Sequence, residues 1–461
     1  MAPADSIEVK DKRVLVVGLG KSGVASALFL KANGARVTVS DTKSPDELKQ
    51  EIPTLLDEGI AVETGGHGER TFQNQDLIVV SPGVPVDAVP LGQARAHGEK
   101  VIGEIELAAK FFPGRIVAIT GSNGKTTTTT LVGEIVAAGG FPTAVGGNIG
   151  TPAISLVAGA TRDTVAVLEV SSFQLETIET FRPRVAVILN ITPDHLDRHR
   201  TFEVYTKAKA RIFENQKSDD FAVLNADDPA CARLGSSVRA QLYWFSRKKE
   251  VKQGAWVHDG KILFRDSRGQ REVMLVSEVP LKGAHNVENV LASVCVGCLM
   301  GVAGEKIRST VRNFKAVEHR LEHVAHIRGV DFYNDSKATN VDATIKALES
   351  FPANIHLILG GKDKGSDYTV LNDLLRQRAK RVYTIGAAAA KIESQIKGTI
   401  EIVHAETLEN AIRRAADAAQ PGDIVLLAPA CASFDQFRSY EHRGKVFKEV
   451  VQALAGAEVK V

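Results

Sequence analysis

The chain has 461 residues, more than one hydrophobic core organises, so two or three domains are expected. A hydrophobic share of 44%, a charged share of 24% and a net charge of +2 describe an ordinary globular protein, too balanced to announce a nucleic-acid partner or membrane insertion. No apolar run reaches the roughly 20 residues that span a bilayer. Residues 1–6 are unlike a signal peptide, and the four cysteines (Cys231, Cys295, Cys298, Cys431) are few and scattered, so a reducing cytoplasm is the expected compartment.

In chain order, residues 13–17 form a short β-branched strand ending in glycine, 23–32 read as a helix and 36–40 as a second strand. This βαβ unit implies a parallel sheet, with a further strand at 76–80 and a turn at 81–85. Gly18, Gly20 and Gly23 make a G-x-G-x-x-G turn, and Asp41 ends the next strand. That corner suits a diphosphate and a ribose. Alone it points to a nicotinamide or flavin enzyme; a UDP-linked molecule offers the same groups, and a plain βαβ turn is the bland alternative.

A second stretch begins near Pro113 and Gly114, with strands at 116–120, 165–170 and 185–190, and a candidate at 221–225. Segments 241–246 and 256–265 read as a hairpin region, an antiparallel annex with Asp259 and Gly260 at its turn. The helix near 285–300 carries Cys295 and Cys298 in a nearly all-apolar run, which favours a buried core helix over a metal or redox pair. From about Val317, strands fit 331–334, 355–360, 381–385 and 423–428, and helices fit 342–348, 371–380, 389–396 and 408–419. The expected class is α/β with three domains. They are a Rossmann-like N-terminal domain over 1–110, a P-loop-type central ATPase domain with the annex over 111–316, and a Rossmann-like C-terminal domain over 317–461.

The strongest local signal is an apolar strand running into Thr120-Gly-Ser-Asn-Gly-Lys-Thr126 and then a helix. Gly121 and Gly124 let backbone N–H groups turn toward anionic oxygens, and the helix N-terminus adds its positive dipole end. Lys125 supplies a point charge to terminal phosphates, and the Thr126 hydroxyl suits a Mg²⁺ ligand. The loop is shorter than the usual G-x-x-x-x-G-K-[ST]; a tight strand–helix turn with an incidental lysine is the plain alternative. Downstream, Glu169 stands inside an apolar strand and His195 in the loop after another. A carboxylate there is costly unless paired or metal-bound, so metal ligation beside a triphosphate is favoured. The basic helix at 205–213 reads as a solvated face. Segments 334–340, 360–365 and 428–437 follow strands and bring lysines and hydroxyls to one sheet end, a cage for a small dianion.

These motifs together resemble the Mur ligases of peptidoglycan synthesis along nearly the whole chain. The shared pattern is 120–126, Glu169 with Ser171 and Ser172, 190–198, His285 with Asn286 and Asn289, and His319 with Arg320. Folylpolyglutamate synthase shares parts of it. Residues 18–23 with Asp41 and Thr42, 334–340 and 430–437 are most similar to the family's D-glutamate-adding branch. The resemblance implies ATP, Mg²⁺ at two sites, and UDP-N-acetylmuramoyl-L-alanine and D-glutamate as substrates of a monomeric cytoplasmic ligase working through an acyl phosphate. It implies that Gly121, Ser122, Asn123, Gly124, Lys125, Thr126, Thr127, Asn286, Asn289, Arg320, Asp335 and Lys337 contact ATP. Thr126, Glu169, His195 and a carbamylated Lys209 would serve metal. Lys125, Glu169, His195 and Lys209 would be catalytic. Lys21, Ser22, Asp41, Thr42, Lys43 and Gly83 would hold the uridine diphosphate end and Asn148 the muramoyl part, and His195 would also bind substrate. Thr339, Lys364, Ser433, Phe434 and Tyr440 would form the D-glutamate pocket. Tyr440 replaces an expected phenylalanine, so its hydroxyl needs a partner. With substrate residues on three sheets, domain closure is expected. A sibling ligase adding L-alanine, a nicotinamide-dependent oxidoreductase and a non-catalytic nucleotide sensor are the competing readings.

Overall fold

The computed structural model describes residues 7–68, 70–315 and 317–458. Residues 1–6, read above for a leader, lie outside them, as do the outermost positions of the expected domain bounds. The chain divides into two compact units. One comprises Met1–Ile191, Glu203–Val276 and Val290–Val311; the other comprises Thr192–Phe202, Ser277–Asn289 and Arg312–Val461.

The first unit carries two sheets. Strands β1 (Arg13–Val17), β2 (Arg36–Ser40), β3 (Ala61–Glu63), β4 (Leu77–Val80) and β5 (Val101–Gly103) form a parallel sheet in the order β3-β2-β1-β4-β5. The order reverses at β1, and open α/β sheets take ligands at such a switch point. All of Val14, Leu15, Val16 and Val17 are buried, as expected of a strand covered on both faces. The helix Lys21–Ala32 begins two residues before the expected start, with Gly20 as its cap. Gly23 is required by close packing: a Cβ there would lie 1.8 Å from the Gly18 carbonyl oxygen.

The second sheet has nine strands: β6 (Arg115–Thr120), β7 (Thr143–Gly147), β8 (Val165–Glu169), β9 (Val185–Ile188), β10 (Phe221–Asn225), β11 (Gln241–Ser246), β12 (Gly254–His258), β13 (Lys261–Asp266) and β14 (Gly269–Leu275). Their order is β14-β13-β12-β11-β10-β9-β6-β8-β7. The antiparallel annex lies later in the chain than the sequence suggests, leaving out β11 and taking in β14. β11 pairs in parallel with both neighbours, and only β12, β13 and β14 run antiparallel, extending the central sheet. The connection 247–253 is no tight turn, so it does not force β11 into a hairpin. The hairpin turn is where the sequence expects it, at Asp259 (φ 47°) and Gly260 (φ 72°), the left-handed pair of a primed turn.

The second unit holds β15 (Glu322–Ile327), β16 (Val330–Asn334), β17 (Ile355–Gly360), β18 (Ala379–Ile385), β19 (Ile402–Glu406) and β20 (Ile424–Leu427) in the order β15-β16-β20-β17-β18-β19. β15 and β16 form an antiparallel pair; the other ladders are parallel. One core cluster gathers Leu357, Leu359, Leu375, Ile392 and Leu426, and another gathers Ile358, Ile412, Val425, Phe447 and Val451. Alternate residues of β17 enter different clusters, as the period of two requires. The helix expected at 371–380 stops at Arg378, where β18 begins.

Candidate active site

β6 ends at Thr120, and the chain turns through Gly121 (φ +156°) and Gly124 (φ +82°) into the helix Lys125–Ala138. Both glycines hold backbone conformations that L side chains rarely adopt. The Lys125 ammonium donates to the carbonyls of Gly121 and Ser122, each at 2.9 Å, so its charge lies over the loop. Asn190, just past β9, braces the same loop. Its Oδ1 accepts from the Asn123 N–H at 2.8 Å, its Nδ2 donates to the Asn123 carbonyl at 3.1 Å, and its own carbonyl accepts from the Ser122 N–H at 2.9 Å. The sequence reading carried Asn190 inside a motif without giving it a role. The signal that marks it is the pairing of β9 beside β6.

Two residues expected at this centre, Thr126 and Glu169, meet there with Asn148, expected at the muramoyl part. The Thr126 hydroxyl donates to Glu169 Oε2 at 2.8 Å, and Asn148 Nδ2 donates to Oε1 at 3.0 Å. Register explains the meeting, because Glu169 pairs with Ile119 of β6 and Gly147 of β7. Glu169 is 1% exposed, a buried carboxylate flanked by a hydroxyl and an amide. Such oxygen donors fit a hard divalent cation beside the phosphate loop.

Lys209 lies on the helix Phe202–Ala210, which the sequence reading treated as a solvated face. The structure overturns that: Tyr205, Ala208 and Lys209 are buried. Lys209 Nζ donates to the Gly121 carbonyl at 2.9 Å and lies 4.7 Å from the Tyr205 ring centroid, while the Tyr205 hydroxyl stands 3.1 Å from Ser122 Oγ. A lysine is buried only with acceptors at hand, and the root of the phosphate loop supplies them.

At the N-terminal switch point, Asp41 is buried, and its carboxylate accepts from the N–H groups of Leu19 (2.6 Å) and Lys43 (2.9 Å). It thereby ties the turn after β1 to the turn after β2. Lys21, Thr42, Lys43 and Gly83 are exposed around that corner, with Ser22 half-buried on the first turn of its helix.

Within the second unit, His195 (φ 54°) donates its N–H to Asp194 Oδ1 at 3.0 Å, and its Nε2 lies 3.7 Å from Oδ2. Asp194 also accepts from Asn340 Nδ2 at 3.0 Å and faces Lys364 Nζ at 3.8 Å. His195 and Lys364 therefore meet through Asp194, a residue the sequence reading quoted but did not assign. Asn289 donates to Asn286 Oδ1 at 3.0 Å. Burial lifts the Asp335 carboxyl to about 7 against the pull of the nearby Arg320 guanidinium. Lys337 lies 3.7 Å from the centre of the Tyr440 ring, a cation–π contact joining a residue expected at ATP to one expected at D-glutamate.

The loops after β16, β17 and β20, which carry Thr339, Lys364 and Ser433, are tied together. Fully buried Arg443 donates to the Ser336 hydroxyl (3.0 Å) and carbonyl (2.8 Å) and to the carbonyl of Cys431 (3.1 Å). Lys362 and Ala432 exchange backbone hydrogen bonds, and Tyr368 connects Asp363 (2.8 Å) to Cys431 Sγ (2.9 Å). Ser433 is buried and Phe434 is 67% exposed. Arg443 escaped the sequence reading, since an arginine in a charged run reads as surface.

Residues 12–103 match the model of the Mur ligase MurD-like N-terminal domain, 119–297 that of the Mur ligase middle domain, and 319–431 that of the Mur ligase glutamate ligase domain. The chain is 68% identical over 454 residues to the UDP-N-acetylmuramoylalanine--D-glutamate ligase of Koribacter versatilis (strain Ellin345), covering 98% of this chain and 100% of that one. It is 59% identical to the protein of the same name from Acidobacterium capsulatum, covering 98% of each. Among solved structures, it superposes on a pseudomurein peptide ligase type C from Methanothermus fervidus with a TM-score of 0.60 at 22% identity, covering 96% and 100% of the two chains. A MurF ligase from Thermotoga maritima in complex with ADP gives 0.60 at 18% identity, covering 97% and 96%. At such identities the structures speak for the fold alone.

Proposed function

The chain belongs to the Mur ligase family, and from that premise we propose that it joins D-glutamate to UDP-N-acetylmuramoyl-L-alanine at the expense of ATP, in peptidoglycan precursor synthesis. The observation that carries the reading is the Thr126–Glu169–Asn148 cluster set beside a phosphate loop whose lysine lies over its own turn. A carboxylate is a poor electrophile. Phosphorylating the alanyl carboxylate creates a leaving group; the amine of D-glutamate then forms the C–N bond and phosphate departs. Positioning and charge neutralisation carry such a reaction.

In this reading the backbone of residues 121–124 cradles the triphosphate, and Lys125 neutralises its terminal charge. Asn286, Asn289, Arg320, Asp335 and Lys337 serve the nucleotide, together with Ser122, Asn123 and Thr127. Thr126, Glu169, His195 and, once carbamylated, Lys209 would serve Mg²⁺. Bound Mg²⁺ supplies charge neutralisation at the transferring phosphoryl group. Lys21, Ser22, Asp41, Thr42, Lys43 and Gly83 hold the uridine diphosphate, and Asn148 the muramoyl part. Lys364 faces a carboxylate of D-glutamate in a pocket with Thr339, Ser433, Phe434 and Tyr440. The domains 1–110, 111–316 and 317–461 then serve the UDP substrate, ATP and the amino acid. We take the enzyme to act as a cytoplasmic monomer, where ATP and the UDP-linked substrate are found; among the described residues no helix is long and apolar enough to cross a membrane.

The test is the dependence of ADP and phosphate release on both acceptors. Release should require the UDP-linked L-alanine and D-glutamate together. Release that ignores D-glutamate, or that prefers L-alanine with UDP-N-acetylmuramic acid, defeats the reading.

A further inference from the structure

The loop after β17 carries Lys364, yet backbone bonds hold it at one end only. Gly361 and Lys362 bond to the backbones of Ile385, Ala388 and Ala432, whereas among the described residues 363–367 make no backbone–backbone hydrogen bond. The side chain of Asp363 closes what the backbone leaves open. Its Oδ1 accepts from the Ser366 N–H at 3.1 Å, which folds the chain back over Lys364 and Gly365. The same oxygen accepts from the hydroxyl of fully buried Tyr368 at 2.8 Å. Its Oδ2 accepts from the Lys391 ammonium at 2.7 Å, on the helix Ala389–Ile396. Burial raises the Asp363 carboxyl, but the Lys391 and Tyr368 side chains and the N–H groups of the turn outweigh it. Together they hold the carboxyl below the ordinary carboxylate range.

Asp363 and Lys364 are neighbours with different partners. Asp363 spends its charge on Lys391, while Lys364 Nζ faces Asp194 at 3.8 Å, beside His195. Were Asp363 released from Lys391 and Tyr368, its carboxylate would compete for the ammonium next to it in the chain. The Tyr368 hydroxyl also stands 2.9 Å from Cys431 Sγ, two residues before Ser433. One carboxylate therefore links both loops proposed to carry Lys364 and Ser433 into the D-glutamate pocket.

We propose that Asp363 is a positioning residue of the amino-acid pocket. Without touching substrate, it fixes the loop so that Lys364 presents its ammonium to a carboxylate of the incoming amino acid. The proposal rests on the reading that Lys364 receives that carboxylate.

Steady-state kinetics of the full chain, with each of the three substrates varied in turn, test it. Asp363→Ala should raise the KM for D-glutamate at least about tenfold. The KM values for ATP and for the UDP-linked substrate should stay within about twofold of the parent. Asp363→Asn keeps an acceptor for Ser366 and Tyr368 but loses the charge facing Lys391, so it should fall between the two, and Lys391→Met should match it. Adding Asp363→Ala to Lys364→Ala should raise the KM for D-glutamate no more than about twofold further, since no ammonium remains to be positioned. Should Asp363→Ala melt early, Asp363→Asn and Lys391→Met carry the same comparison. A folded Lys364→Ala with an unchanged KM for D-glutamate would overturn the reading of Lys364, and the proposal with it. A raised KM in Lys364→Ala beside an unchanged one in the folded Asp363 variants would overturn the positioning role alone. So would a parallel rise in all three KM values, or additive effects of Asp363→Ala and Lys364→Ala.

Discussion

Replacing Asn190 by alanine removes both side-chain bonds to Asn123 while leaving the Ser122–Asn190 backbone bond in place. A neutral hydrogen bond contributes about 0.5–1.5 kcal/mol net, so the two together order the loop by about 1–3 kcal/mol. At about 1.4 kcal/mol per factor of ten, the dissociation constant for Mg-ATP should rise about 5- to 140-fold. Asn190 is half-buried beyond the end of β9, and in a chain of this size the same loss should lower the melting temperature by only a few degrees, leaving the variant folded. Isothermal calorimetry with a non-hydrolysable ATP analogue, run beside a thermal melt, separates the two effects. An unchanged dissociation constant in a folded variant would refute the claim that this asparagine shapes the phosphate loop.

Further outcomes follow from the same geometry. Glu169→Gln keeps the size of the side chain but loses its charge, so the Mg²⁺ concentration giving half-maximal turnover should rise at least about tenfold, with the fold intact by melting. Arg443→Lys cannot reproduce the fork that spans Ser336 and Cys431, and should lose about 2–4 kcal/mol in urea denaturation while raising the KM for D-glutamate. An unchanged KM would separate the brace from the pocket. Burial lifts the Glu104 carboxyl from 4.5 to about 7, so the folded chain keeps a proton the unfolded chain gives up. Its contribution to stability is full below 4.5 and is lost as pH rises through about 7. Glu104→Gln removes that titration while keeping an acceptor for the Ile154 N–H, so its melting temperature should fall less across that window. Parallel curves would contradict the assignment.

Strands β1, β2, β10 and β17 could be read from sequence with their bounds because each is a compact β-branched run between turn residues. The short edge strands β3 and β5 and the strand β7, with its two glycines, could not, because their pairing depends on neighbours rather than on local pattern. The 19-residue helix Tyr440–Glu458 was missed for a related reason: its early turns carry Glu441, His442 and Arg443, and burial of Arg443 is set by carbonyls from distant loops. The phosphate loop was legible because glycine, lysine and hydroxyl must fall in one local order. Lys209 is singled out in the sequence only through family resemblance, since nothing local distinguishes it from Lys207 on the same helix; burial beneath Gly121 does. Asn190, Asp194 and Arg443 act through partners remote in sequence, which a single chain read linearly does not join.

The account rests on carboxylate activation by phosphoryl transfer, and isotope transfer tests it most directly. UDP-N-acetylmuramoyl-L-alanine labelled with ¹⁸O in the alanyl carboxylate should, with ATP, Mg²⁺ and D-glutamate, pass one labelled oxygen to the released phosphate as the amide forms. Amide formation with unlabelled phosphate would contradict it.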